Sequence, residues 1–109
     1  MSRPLALFVL FLAAILEAGG DALVRGGLHA STPVTRAAMF ALGAIVLFSY
    51  GYAVNRPAWD FGRLLGIYVV FFFVVAQAIS WLVFDQRPPA MTLVGGAFVV
   101  AGGVIMSIG

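Results

Sequence analysis

Charged residues gather at the N-terminus and in three short gaps, and between them the side chains are almost continuously apolar. Apolar runs of about 20 residues cross the hydrocarbon layer of a membrane as helices. Four such runs are present: Pro4 to Val24, Ala37 to Val54, Leu64 to Phe84 and Ala90 to Ile108. The runs are continuous and not alternating, which argues against a β-barrel. Turn residues punctuate the gaps, with Gly26, Gly27 and Pro33 in the first, Pro57 and Gly62 in the second, and Pro88 and Pro89 in the third. Gaps this short make consecutive helices antiparallel. The expected fold is an all-α membrane protein, one domain over residues 1–109, with four transmembrane helices in an up-down bundle.

Composition agrees with this reading. The 109 residues are 63% hydrophobic and 9% charged, against about 25% charged in soluble domains. A water-soluble globule of this size has no interior large enough for so much apolar surface. The first run carries acids and lacks a small-x-small cleavage site, so it reads as a span and not as a signal peptide. The basic balance rests on six arginines and no lysine, spread one or two to a gap. That leaves no basic patch to track phosphates, so no nucleic-acid partner is expected. Cysteine is absent. No metal-ligand spacing, phosphate loop or nucleophile–base pair stands in its place, and neither an enzyme nor a cofactor is expected. His29 reads as a lone, solvated loop residue.

Orientation in a membrane follows the arginine bias of short loops. Arg3, Arg56 and Arg63 fall on one side of a four-span chain, and Arg25, Arg36 and Arg87 on the other. Such a tie gives the insertion machinery little instruction. Together with a bundle too small to enclose a pathway alone, it points to an antiparallel homodimer of dual topology.

The candidate chemistry lies in the first span. Glu17 follows Pro4 by 13 residues, which sets it about 20 Å into the helix at the usual rise. An ionised carboxylate at that depth is costly, and such residues commonly mark an ion or substrate path. A group there can take a proton and surrender it to an arriving cation. The alternative is a permanently protonated Glu17 that only bonds a neighbouring helix. Asp21, four residues on, shares the face. It either couples to Glu17 or pairs with Arg25, a further four residues along, and we favour the second because Asp21 lies near the helix end. Small neighbours (Ala13, Ala14, Gly19, Gly20) let a helix or ligand approach the carboxyl.

In the fourth span, Gly95 and Gly96 recur seven residues later as Gly102 and Gly103. These four glycines form a smooth stripe suited to a dimer contact, with packing inside one bundle as the other possibility. The third span is bulky, carrying Tyr68, Phe71, Phe72, Phe73 and Trp81. Aromatic faces hold organic cations. Three consecutive phenylalanines point three ways, however, so at least one is expected to meet lipid. Trp59 and Trp81 sit near span ends, as interfacial aromatics do. Ser49, Gln77 and Ser80 are expected to make interhelical hydrogen bonds.

These residues resemble the small multidrug resistance family of four-helix transporters. Glu17 with Gly20, Leu23 and Arg25 is similar to that family's acidic stretch, Ser80 to Arg87 to its third-helix exit, and Gly95 to Gly102 to its seven-residue glycine motif. The resemblance implies a multi-pass protein of the bacterial inner membrane, working as an antiparallel dimer that exchanges protons for a small organic cation. Glu17 would be the shared proton and substrate site, with Asp21 and Tyr68 beside it. Some positions depart from the pattern. Leu65 stands where the family has a tyrosine and Tyr68 where it has a tryptophan. The second span offers only Tyr50 and Tyr52, toward its end. Two other activities are compatible with a small four-helix chain: a non-transporting accessory subunit, and half of a lipid-linked sugar flippase. The lone buried acid disfavours the flippase, whose anionic cargo calls for basic pocket residues.

Overall fold

The computed structural model describes residues 1–109 as four helices and no strand: α1 (Arg3–Leu28), α2 (Pro33–Val54), α3 (Phe61–Phe84) and α4 (Ala90–Ile108). All four are long and apolar enough to cross a membrane. The fourth has the ends its apolar run marks, while the others begin earlier, and α1 also runs on past Arg25. Hydropathy reports where the oil is, and a helix continues into the headgroup region as long as its ends are capped. Ser2 Oγ accepts from the Leu5 amide at 3.3 Å, and Thr32 Oγ1 accepts from the Thr35 amide at 3.2 Å. Pro4 and Pro33 occupy first-turn positions whose amides need no partner. The first gap thus shrinks to His29–Thr32. His29 is not idle there: its Nδ1 donates to the Arg25 carbonyl at 2.9 Å and helps finish α1.

The helices run up, down, up, down. The spatial order is α2, α1, α3, α4, with α1 against both α2 and α3 and α4 against α3. They form an open layer measuring 49 × 34 × 19 Å. Helices about 10–12 Å across, side by side, give such a slab. The interior accordingly holds few residues, chiefly Leu10, Ala13, Ala14, Val54, Leu64, Ile67 and Tyr68. Outward lie Ile45, Phe48, Leu82 and Phe98, each at least 65% exposed, as a lipid-facing surface demands.

Glycines on α1 and α2 set the spacing between these two helices. Gly20 lies against Leu47, Val24 against Gly43 and Gly27 against Phe40. These pairs hold one antiparallel register along the whole α1–α2 contact. A β-carbon at Gly43 would stand 2.9 Å from the Val24 side chain and 3.3 Å from the Gly20 carbonyl. Glycine is therefore what permits the close approach.

The two ends of the layer are closed by arginines. At one end Arg3 donates to the Ser107 carbonyl at 3.1 Å, and Arg63 donates to the Met106 and Ser107 carbonyls at 3.2 and 3.1 Å. Cations suit the negative end of a helix dipole. At the other end the guanidinium of Arg25 lies 5.3 Å from the centre of the Phe84 ring and that of Arg87 lies 5.4 Å from Trp81. Ser49 bonds back to the Ile45 carbonyl of its own helix, at 2.9 Å, and so makes no interhelical link.

Candidate functional site

Glu17 lies on the face of α1 where α2 and α3 converge, partly buried among small residues. Ala13, Ala14 and Ala18 are buried beside it in the same cluster as Leu64, Val54 and Tyr68. They bring the neighbouring helices in, and Gly19 alone faces open space. Tyr68, almost fully buried, donates its hydroxyl to Glu17 Oε1 at 2.8 Å. The structure thus brings together two residues that lie 51 positions apart in the chain.

A third member escaped the sequence reading. The ring of Tyr50 lies 5.6 Å from that of Tyr68, tilted by 32°. Counted from its own helix end Tyr50 is shallow. Counted along the α1–α2 register of Gly20–Leu47 and Val24–Gly43, it falls at the level of Glu17. Phe72 also lies against Tyr68, 6.3 Å away between centroids. Glu17 is thereby framed by aromatic rings on α2 and α3.

Next to this frame a cavity of about 250 Å³ opens between α1 and α3. Ala18 and Phe72 lie at its inner wall, and Asp21, Arg25, Phe84 and Gln86 are among the residues around it. Asp21 is exposed, and it shares the cavity with Arg25 without an ion pair between them. The expected Asp21–Arg25 pairing is therefore corrected, because Arg25 leans across to the Phe84 ring of α3. Along one helix the two residues have the right spacing, yet a cation near a membrane surface gains more from an aromatic face it can cover.

The three phenylalanines of α3 divide their work, and none is left to lipid alone. Phe71 meets Phe11 edge-on at 6.5 Å, Phe72 faces the site, and Phe73 lies against Gly96. The last contact bears on the glycine stripe of α4. Gly96 and Gly103 are buried against Phe73 and Val70 of the same chain, whereas Gly95 and Gly102 have no atom in the way of a side chain. Gly96 and Gly103 thus follow the other possibility, packing inside one bundle: their missing side chains make room for α3. Only Gly95 and Gly102 remain on an open face.

Comparison with known proteins places the sequence in a family. The chain is 34% identical over 106 residues to a UPF0060 membrane protein of Herpetosiphon aurantiacus, an alignment spanning 95% of this chain and 92% of the relative. The chain belongs to the UPF0060 membrane proteins. Its relative is bacterial, and the four spans agree with a membrane location. No family model matches the sequence, and no solved structure matches it.

Proposed function

We propose that this UPF0060 protein is a proton-coupled antiporter that exports a small cationic compound across the bacterial inner membrane. One observation carries the proposal: a carboxyl deep in α1 accepts a hydrogen bond from Tyr68 and is framed by Tyr50 and Phe72 beside an open cavity. The pieces suit the task. The carboxyl binds either a proton or the cation, and one must leave before the other arrives. The aromatic rings offer faces to an organic cation that has shed its water, at about 1–2 kcal/mol each. Asp21 at the cavity draws cations in. Similarity to the small multidrug resistance pattern, stated above on Glu17, Arg25 and the glycine stripe, adds to the case. Two chains, inserted in opposite senses and meeting through Gly95 and Gly102, would close the open side of the layer and expose Glu17 to each face in turn.

The test is proton release when candidate organic cations are added to detergent-solubilised protein. The expected result is release by the natural chain and none by Glu17→Gln. Equal release by both would remove Glu17 from the mechanism, and silence across a broad cation panel would favour an accessory subunit. Labelling of a C-terminal tag in cells should report both sides of the membrane; a one-sided result would end the dual-topology part.

A further inference from the structure

The end of the layer opposite Asp21 and Arg25 carries a second arrangement, unrelated to Glu17. Arg3 from α1 and Arg63 from α3 converge on the same carbonyl, that of Ser107 in α4. One helix end supplies only about half a negative charge, so two guanidiniums gathered on it leave positive charge unanswered. Arg3 spends one donor there and Arg63 two, and a guanidinium has several more to offer. Beside them is a cavity of about 290 Å³, with Trp59 on its wall and no acidic side chain among its lining residues.

This polar chamber continues into a second space. A groove of about 170 Å³ shares Arg3, Leu7, Ile67 and Ser107 with the chamber. It runs between α1, α3 and α4 past Val70 and Val104, and its lining beyond the shared mouth is apolar. The groove exists because α4 packs on α3 and leaves α1 uncovered. A cationic chamber at the membrane surface that opens into an apolar channel along the helices matches one kind of molecule.

The geometry points to a phospholipid site: Arg3 and Arg63 hold an anionic phosphate headgroup, and one acyl chain lies in the groove along Leu7, Val70 and Val104. Basic pockets between membrane helices recognise anionic headgroups in this way. Trp59, on the chamber wall, is of the residue type that settles at the membrane–water interface. The lipid would fill the space between α1 and α4.

Native mass spectrometry of the solubilised protein, after incubation with mixed micelles of phosphatidylglycerol and phosphatidylcholine, tests the assignment. The natural chain should retain phosphatidylglycerol in preference. The double variant Arg3→Gln with Arg63→Gln should lose about tenfold or more of that retention, since each basic residue near a charged surface contributes several-fold. Arg36→Gln with Arg87→Gln, at the other end, should change nothing. Val104→Phe, which fills the groove and leaves both arginines in place, should also release the lipid; it decides the matter should the arginine variant not fold. Equal retention of the two lipids, or retention unchanged in Val104→Phe, would overturn the site. Inorganic phosphate alone displacing the lipid at equal concentration would show a free-phosphate site and overturn the acyl-chain half.

Discussion

The Tyr68 hydroxyl and the Glu17 carboxylate meet at 2.8 Å across the α1–α3 contact. A hydroxyl can donate to a carboxylate, and can turn to accept from the protonated acid, so the contact serves both states of the acid. The ring of Tyr68 is almost fully buried and packs against those of Tyr50 and Phe72, which leaves the hydroxyl little freedom to point elsewhere.

Tyr68→Phe keeps the ring and removes the hydroxyl. A hydrogen bond to a charged group contributes about 1.5–3 kcal/mol, so cation affinity should fall by about ten- to 150-fold. Helix content should be unaffected. Titration of proton release against cation concentration measures the change, and an unaltered midpoint would separate Tyr68 from the site.

Gly43→Val should destabilise the α1–α2 contact by about 1–3 kcal/mol, the usual cost of overpacking. One obstacle is the Gly20 carbonyl, which is backbone and cannot swing away. Gly51→Val meets nothing within 4 Å and should stay within about 0.5 kcal/mol of the natural chain. Loss of helicity on titration with a denaturing detergent compares the two.

Within α4 the glycines should divide by pairs. Gly96→Leu and Gly103→Leu are expected to lower the stability of the chain itself, because Phe73 and Val70 occupy the space. Gly95→Leu and Gly102→Leu should spare stability and weaken self-association. Energy transfer between labelled copies in liposomes reads the second effect and detergent denaturation the first. A stability loss of the same size at all four positions would remove the distinction.

Asp85 ends α3 in the left-handed conformation, at φ 53° and ψ 39°, and is the one non-glycine residue with a positive φ. The Gln86 amide closes the turn on the Ser80 carbonyl at 2.9 Å. Asp85→Gly should stabilise the chain by about 0.5–1 kcal/mol, glycine being the residue such a cap prefers. Thermal unfolding followed by circular dichroism checks this.

The spans were legible because the requirement for continuous apolar side chains is severe, and Leu64 to Phe84 could be little else. Contacts between helices were less so. Tyr68 could be picked out as an aromatic of the third span, but that its hydroxyl reaches Glu17 depends on how α3 crosses α1. Depth counted along one helix does not mark out Tyr50, because the register of Gly20 on Leu47 sets its height. The partner of Arg25 is hidden for a related reason: spacing along α1 is blind to Phe84 on another helix. Gly96 and Gly103 repeat as regularly as Gly95 and Gly102, and periodicity cannot say which pair faces the neighbour at home.

The layer order puts α1 between two helices and α4 at the rim, touching α3. Mutational drift in the rim helix can therefore proceed without retuning the acid, which leans on α2 and α3. Under the proposed association through α4 and the proposed chemistry at Glu17, selection on how copies associate and selection on what they handle would fall on different helices, so one trait could diversify between species while the other is held fixed.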